Sequence, residues 1–268
     1  MHVNPQHEAN RRHWDRGADQ WRLLRDRDGL WKTCPREPEL AFEGGALEQI
    51  RRLLKMVEGK SVCVVGSGDN YAAFALAGCG ARVTSVDISQ RQLDVAADRA
   101  AQLALDIEFV RSDASDLGAL ASGRFDLATS SNGFFVWIAE PRRVFAEIFR
   151  VLRPGGSYVF YDVHPFQRPW STEGPTLAMR KPYCQTTPEI DDDTDEVTYE
   201  FHWTLADLLN PLAGAGFRIE SVLESPPRSA RFWQDSAYLP ASDENASDWR
   251  HNALAGLPAW LTVCAQKP

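Results

Sequence analysis

The sequence predicts an α/β fold in which a doubly wound, mostly parallel sheet of seven strands carries helices on both faces. Short runs of β-branched and apolar residues alternate with helix-like segments from residue 61 to residue 163. Such an alternation implies parallel strands joined by crossover helices. A glycine-rich turn follows the first of these strands, where α/β folds commonly bind a ligand. The chain has 268 residues, 44% of them hydrophobic, so it can bury a large core.

The elements follow one another along the chain. Trp14 and Trp21 are seven residues apart, or two helical turns, which predicts an N-terminal helix with an aromatic stripe. A second helical period runs over residues 43–56 and stops at Gly59. We predict strands over residues 61–66, 82–88, 107–113, 125–131, 157–163, 197–203, 218–225 and 259–267. We predict further helices over residues 70–80, 90–104, 141–153 and 204–217, the last of them capped by Thr204.

Two long irregular segments interrupt this pattern. Residues 164–196 are rich in proline, threonine and acidic residues, and residues 225–258 contain several prolines and Trp249. Loops of this length commonly cover a functional site, so we expect both segments to lie over one. The acidic run from Asp191 to Glu196 is interpreted as a solvated turn rather than as a cation site.

Composition and charge disfavour several functional classes. The formal net charge of −8 and the sequence pI of about 5.3 argue against nucleic acid as a partner. No apolar stretch approaches the roughly 18 residues that cross a bilayer, and the polar N-terminus does not resemble a signal peptide. Five cysteines without ligand spacing predict neither a disulfide framework nor a metal site. We therefore expect a cytoplasmic protein without a membrane partner, and nothing in the sequence specifies an oligomeric state.

The glycine-rich turn is the first candidate binding element. Gly66 and Gly68 lie between a hydrophobic strand and an alanine-rich helix, so the backbone there can approach a nucleotide cofactor closely. Asn70 stands where such turns usually carry a third glycine, and asparagine tolerates a left-handed backbone. Asp87 ends the next strand, where a carboxylate can accept both hydroxyls of a ribose. The alternative for Asp87 is a helix cap, with Ser89 as the rival cap.

Two later features decide between cofactor classes, because a glycine turn and a strand-end acid also occur in nicotinamide-dependent enzymes. Asp113 follows the third strand, where its carboxylate can take an adenine amino group while the Ala114 N–H meets a ring nitrogen. Residues 152–156 read Leu-Arg-Pro-Gly-Gly before the fifth strand. With these features, residues 60–165 resemble the core of class I S-adenosylmethionine-dependent methyltransferases.

The resemblance implies a Rossmann-like sheet whose last strand is antiparallel, with S-adenosylmethionine as the cofactor. It implies one domain over residues 1–268, in which residues 1–58 form a helical lid and residues 59–163 the cofactor-binding core. Residues 164–196 and 225–258 are then the covers of the acceptor. The expected cofactor contacts are Gly66, Ser67, Gly68, Asp69, Asn70, Asp87, Ile88, Asp113, Ala114, Asn132 and Trp21.

The chain departs from the family at one position besides Asn70. The family commonly has an acid two residues before the first glycine, and this chain has Val64 there. One interpretation is that Asp69 faces the methionine ammonium instead; the alternative is that Asp69 only favours the start of the following helix. Trp14, Trp21 or Trp31 are candidates to cover the sulfonium by a cation–π contact, or to pack in the core.

Methyl transfer needs alignment and exclusion of water more than it needs an acid or base. His164 and His202 are the candidate general bases, and the alternative for each is a structural hydrogen bond. The aromatic and proline residues of the covers suit a small, partly apolar acceptor. Arg168 or Arg180 is a candidate partner for an acidic group on that acceptor. The target atom, whether oxygen, nitrogen or carbon, stays open.

Two other functions remain as alternatives to methyl transfer. A non-catalytic protein that binds S-adenosylmethionine or S-adenosylhomocysteine would account for Val64 and the altered turn. A nicotinamide-dependent reductase would require a third glycine where the chain has Tyr71. The strand-end motif of adenine-directed DNA methyltransferases is absent, since the sequence after the fourth strand reads Ser-Asn-Gly-Phe.

Overall fold

The structure is a computed structural model that describes residues 4–170, 176–192, 197–228, 230–233 and 244–268. Its helices are α1 (Pro5–Asp28), α2 (Leu30–Thr33), α3 (Ala46–Leu54), α4 (Tyr71–Gly78), α5 (Gln90–Gln102), α6 (Pro141–Val151) and α7 (Leu205–Gly214). Its strands are β1 (Ser61–Val65), β2 (Arg82–Asp87), β3 (Ile107–Arg111), β4 (Phe125–Ser130), β5 (Leu152–Val163), β6 (Glu189–Asp191), β7 (Thr198–Glu200), β8 (Arg218–Ser225) and β9 (Trp260–Gln266).

Seven strands form one sheet in the order β3-β2-β1-β4-β5-β9-β8. The five strands from β3 to β5 run parallel, and β9 pairs antiparallel with both β5 and β8. The predicted fold class, with its antiparallel last strand, is confirmed. The strand predicted over residues 197–203 is shorter, and it pairs with β6 in a separate two-stranded ribbon instead of joining the sheet.

The central strands β1, β4, β5 and β9 are buried on both faces over most of their length, as their apolar composition requires. Along β1, Val62 and Val64 point into a core formed with α3, α4 and α5. Cys63 and Val65 alternate to the opposite face, where they join a core that contains residues of α6 and α7. Val64 is therefore a core residue, 1% exposed, and its side chain points away from the face that α6 and α7 cover.

Helix α1 is a long polar helix with the predicted tryptophan stripe. Asn4 caps its start by accepting the N–H groups of residues 6 and 7, and Gly29 ends it with a φ of 64°. The helix is fixed to the rest of the chain through buried polar side chains. The Asn10 side chain donates to the Tyr199 carbonyl and accepts the Tyr199 N–H, both at 2.9 Å, which joins α1 to β7. Asp15 accepts the Ser89 hydroxyl at 2.6 Å, which joins α1 to α5.

The C-terminal part of the chain begins with α7, which Thr204 caps as predicted. The Thr204 side chain accepts the Asp207 N–H, and the Asp207 carboxylate accepts the Thr204 N–H in return. The irregular segments around this part of the chain fall partly outside the described residues, including much of the acidic run at 191–196. Among the helices that the structure describes, none has a stretch long and apolar enough to span a bilayer.

Candidate active site

A cavity of about 290 Å³ opens at the carboxyl ends of β1 to β4, and α1 forms its roof. Parallel strands end at a common edge, so the loops that follow them converge there. Ten of the eleven residues predicted to contact a cofactor line this cavity. They are Trp21, Gly66, Ser67, Gly68, Asp69, Asp87, Ile88, Asp113, Ala114 and Asn132. The structure therefore brings these residues, predicted from strand ends and turns, to one cavity.

Both glycines of the turn after β1 have a left-handed backbone. Gly66 has a φ of 64°, and a Cβ there would lie 2.2 Å from the ring of Phe134, so no side chain fits. Gly68 has a φ of 48°, and a Cβ there would meet nothing within 4 Å. The turn thus packs tightly against Phe134 at its first glycine and leaves open space at its second.

Asn70 adopts the left-handed conformation expected of it, with a φ of 65°. Its side chain is fully buried and does not line the cavity. The amide donates to the Gly68 carbonyl at 2.8 Å and accepts the Ser85 hydroxyl at 2.6 Å, while the hydroxyls of Ser67 and Ser85 lie 2.8 Å apart. The predicted cofactor contact of Asn70 is therefore corrected: this residue holds the turn from behind.

Asp87 joins the turn after β1 to the start of α5. Its Oδ2 accepts the Gly68 N–H and its Oδ1 accepts the Ser89 N–H, both at 2.9 Å. The helix cap is Ser89, whose hydroxyl accepts the Gln92 N–H, so the capping alternative for Asp87 is excluded. Burial raises the pKa of the Asp87 carboxyl, and the two backbone donors counteract that effect.

Asp113 meets a residue that the sequence analysis missed. Its Oδ1 accepts the N–H and the hydroxyl of Ser115, and its Oδ2 lies 2.8 Å from Nδ1 of His7. Nε2 of His7 accepts the Ala139 N–H at 2.8 Å, so the ring proton is on Nδ1 and is donated to Asp113. Burial opposes ionisation of Asp113, but the bonds from His7 and Ser115 hold its pKa below the usual range.

The roof residues share one face of α1. The lining residues of the helix are His7, Asn10, Trp14, Trp21 and Arg25. Their spacings of three, four, seven and four residues are those of a single helical face. This spacing is the signal in the sequence that could have identified the three missed members.

The roof and the floor of the cavity are aromatic. Trp14 meets Trp137 edge to face with ring centroids 5.1 Å apart, and its centroid lies 5.6 Å from that of Trp21. Trp31, the third candidate, is buried in the core and donates its indole N–H to Asp26. The face of an indole ring is electron-rich and attracts a cation, so Trp14 and Trp21 remain the two candidates for such a contact.

A buried carboxylate positions the loop after β4. Asp162, at the end of β5, accepts the N–H of Gly133 at 2.9 Å and the N–H of Phe135 at 3.1 Å. Burial raises the pKa of this carboxyl, and the backbone donors oppose that effect. Asp162 thereby fixes the loop that carries Asn132 and Phe134 to the cavity. No feature of the sequence near Asp162 indicates this role, because the partners are about thirty residues away.

His164 lies outside the cavity. Its Nδ1 accepts the Phe166 N–H at 3.1 Å, which leaves the ring proton on Nε2 for a bond of 2.8 Å to Glu224. Burial lowers the pKa of the imidazole, and Glu224 counteracts that effect. Because both ring nitrogens are engaged away from the cavity, the prediction that His164 is a general base is corrected to a structural role.

His202 is also buried and outside the cavity. Its Nδ1 contacts the Lys181 ammonium, and its Nε2 has no hydrogen bond and lies 3.8 Å from a carboxylate oxygen of Glu200. Glu189, Glu200 and His202 bring three ligand-type atoms within 4.8 Å of one another. The Lys181 ammonium lies 3.1 Å from Glu189, so a lysine side chain supplies the positive charge beside these three residues. The geometry assigns His202 to the support of the β6–β7 ribbon.

Comparison with known proteins agrees with this geometry. The model of a family described as a methyltransferase domain matches residues 63–160. Residues 63–160 therefore resemble a methyltransferase domain, and the solved structures similar to this chain include S-adenosylmethionine-dependent methyltransferases. A methyltransferase structure of this class from Mesorhizobium loti superposes with a TM-score of 0.61 and 26% identity, covering 82% of this chain and 96% of that one.

Curated relatives resemble the same core. A demethylmenaquinone methyltransferase from Clavibacter sepedonicus is 34% identical over 131 residues, which are 48% of this chain and 51% of the relative. A ubiquinone biosynthesis O-methyltransferase from Thiobacillus denitrificans is 33% identical over 104 residues, 39% of this chain and 44% of the relative. The chain spans about half the length of these relatives. The [4+2]-cyclase SpnF shares the fold at a TM-score of 0.57 and 23% identity, covering 82% of this chain and 79% of that one.

The lining of the cavity fits the cofactor of this family. S-adenosylmethionine offers two ribose hydroxyls, an adenine amino group, a sulfonium and an amino-acid end. The cavity presents carboxylates at the ends of β2 and after β3, open space at Gly68 and indole rings in the roof. Hydroxyl and amino donors match carboxylate acceptors, and a sulfonium matches an aromatic surface.

We predict that Asn70→Ala destabilises the protein more than Asn70→Gly does. Glycine keeps the left-handed backbone and loses only two buried hydrogen bonds, about 1–2 kcal/mol together. Alanine loses the same bonds and adds about 1 kcal/mol of backbone strain. Urea unfolding of the two variants measures the difference. Equal free energies of unfolding would show that the turn does not depend on the φ of residue 70.

We predict that Asp87→Ala weakens binding of S-adenosylhomocysteine by about 1–3 kcal/mol, because ribose hydroxyls lose a charged acceptor. Titration calorimetry measures the change. Asp94→Ala is the matched control, since Asp94 is exposed on α5, the helix that begins beside Asp87. Unchanged affinity in the Asp87 variant, with a wild-type unfolding temperature, would contradict the ribose contact.

Proposed function

We propose that the chain transfers a methyl group from S-adenosylmethionine to a small-molecule acceptor. The observation that carries this proposal is the cavity beneath α1, which collects ten of the expected cofactor residues at the carboxyl edge of a methyltransferase fold. Fold alone is weaker support, since the [4+2]-cyclase SpnF shares it.

The order of the strands sets the orientation that we propose for the cofactor in the cavity. Residues after β3, at the end of β2 and after β1 line the cavity in that spatial order, and those after β4 follow. In our proposal Asp113 and Ala114 hold the adenine and Asp87 holds the ribose. The amino-acid end then lies over β1 and β4, beside Asp69 and Asn132. When bound, S-adenosylmethionine supplies a methyl carbon activated by its sulfonium.

In this proposal the protein contributes alignment and a dry environment. The carboxylates of Asp87 and Asp113 accept hydrogen bonds from the chain, and both ring nitrogens of His7 are engaged. No imidazole other than that of His7 lines the cavity in the described part of the chain. The rate enhancement would then come from holding the acceptor in line with the methyl group under the indoles of Trp14 and Trp137.

We further propose an aromatic metabolite with a hydroxyl as the acceptor. Phe134, Trp14 and Trp137 give the cavity flat apolar walls, which suit a flat ring. Two relatives are named for demethylmenaquinone and ubiquinone biosynthesis, and a third, 36% identical over 117 residues, is a cypemycin N-terminal methyltransferase from Streptomyces. The first two names support a quinol-type acceptor, and the third supports an amine.

A labelled-methyl assay tests the activity and the acceptor together. The protein is incubated with methyl-labelled S-adenosylmethionine and with soluble hydroquinones, peptide amines or aliphatic acids. We expect label in the hydroquinone products and an equal amount of S-adenosylhomocysteine. Transfer to amines alone would overturn the acceptor class. Titration calorimetry with S-adenosylmethionine and with NADH is run in parallel. Tight binding of S-adenosylmethionine without transfer to any acceptor class would favour the non-catalytic alternative, and binding of NADH alone would favour a reductase.

We predict that His164→Asn and His202→Asn each leave kcat within about threefold of the wild-type value. Neither imidazole lines the cavity, whereas removal of a working general base costs about 10²- to 10⁴-fold. Steady-state kinetics with the best acceptor, with unfolding temperatures measured in parallel, checks this. A hundredfold fall in kcat in a folded variant would restore that histidine as a candidate base.

A further inference from the structure

The binding site for the amino-acid end of the cofactor lacks an acidic residue that the family commonly has there. That position is Val64, whose side chain is buried in the core between β1 and the helices of one face. A free α-amino acid group carries an ammonium and a carboxylate on one carbon. A site for it needs an anion and a cation side by side. The cavity therefore has to supply both charges from residues outside β1.

In the proposed function the other two lining carboxylates, Asp87 and Asp113, hold the nucleoside end of the cofactor. Asp87 accepts two backbone N–H groups, and Asp113 accepts a proton from His7 and two donors from Ser115. Both lie at the β2 and β3 side of the cavity, away from β4 in the order of the sheet. Asp69 is the lining carboxylate in the turn after β1.

Asp69 forms an ion pair with Arg25 across the cavity. Asp69 belongs to the turn and Arg25 to the roof helix, so the pair joins floor and roof. The side chains of Arg25 and Asp69 are 17% and 28% exposed, which shields the pair from water without isolating it. Both residues line the same cavity, on the β1 side where the cofactor's amino-acid end would lie.

The guanidinium of Arg25 is held in place by aromatic rings. Its central carbon lies 5.4 Å from the ring centroid of Trp21 and 5.4 Å from that of Tyr71. Such contacts orient the planar guanidinium, and a guanidinium presents a fork of donors that matches a carboxylate. Tyr71 is itself fixed by donating its hydroxyl to Asp28 at 3.1 Å.

We propose that Arg25 and Asp69 form an α-amino-acid subsite, in which Arg25 binds the carboxylate and Asp69 binds the ammonium of the ligand. This inference rests on the proposed function, because it concerns one end of the same cofactor. The Arg25–Asp69 pair and the amino-acid group of the ligand each have a net charge of zero. On binding, Arg25 would pair with the ligand carboxylate and Asp69 with the ligand ammonium, so no net charge is buried. The subsite takes over the role of the acid that is absent at Val64.

The test compares two ligands that differ only at this end. S-adenosylhomocysteine carries the amino-acid group, and 5′-methylthioadenosine has the same nucleoside and a thioether but no charged group. Calorimetry is run with both ligands on the wild type, Arg25→Ala, Arg25→Lys and Asp69→Asn. Arg27→Ala is the matched control, since Arg27 is exposed on the same helix and does not line the cavity. Unfolding temperatures verify that each variant is folded.

We expect Arg25→Ala and Asp69→Asn to weaken S-adenosylhomocysteine binding about 10- to 100-fold, the usual range for a lost charge-assisted hydrogen bond. Binding of 5′-methylthioadenosine should change by less than about threefold. Arg25→Lys should give an intermediate loss, because a lysine keeps the charge without the fork. The Arg27 control should bind both ligands as the wild type does.

Two results would overturn the subsite. One is an equal loss for both ligands in folded variants, which would mean that the pair only holds the roof in place. The other is a wild type that binds 5′-methylthioadenosine as tightly as S-adenosylhomocysteine. If the wild type binds neither ligand, the proposed function itself fails. This outcome is distinguishable from the first two because the wild-type protein alone shows it, before any variant is measured.

Discussion

Buried polar groups need partners, and this constraint fixes how α1 lies over the sheet. His7 and Asn10 are each 2% exposed, so an unsatisfied ring nitrogen or amide there would cost on the order of 1–3 kcal/mol. Their partners are a carboxylate after β3 and backbone groups of residues 139 and 199. These groups come from three separate parts of the chain. A shift of α1 by one turn would leave all of them unpaired, so the roof of the cavity has a single register.

The parallel core could be predicted because its signals are local. A strand, a glycine turn and a strand-end acid are adjacent in the chain, and the carboxyl edge of the sheet then brings them together. The left-handed backbone of Asn70 could also be predicted locally, since asparagine tolerates a positive φ. The hydrogen bonds of the Asn70 side chain could not be predicted locally. Its partner Ser85 lies on β2, and the contact depends on the pairing of β1 with β2.

The side chains that support the site could not be predicted in the same way. Asp162 acts through the backbone of a loop about thirty residues earlier, and nothing near it in the sequence indicates that contact. His164 follows a strand end, as catalytic residues often do, but its ring is turned toward Glu224 on β8. The match to the family model likewise ends at residue 160, before Asp162 and His164.

The contact between Asn10 and Tyr199 has a mechanical consequence. Asn10 joins α1 to β7 by two hydrogen bonds, and the nearby Phe201 N–H donates to the carbonyl of Val136, the residue before Trp137 of the cavity lining. Helix α1 cannot lift alone: either the ribbon travels with it or both bonds break together. The roof of the cavity and the β6–β7 ribbon are thus tied into one mechanical unit.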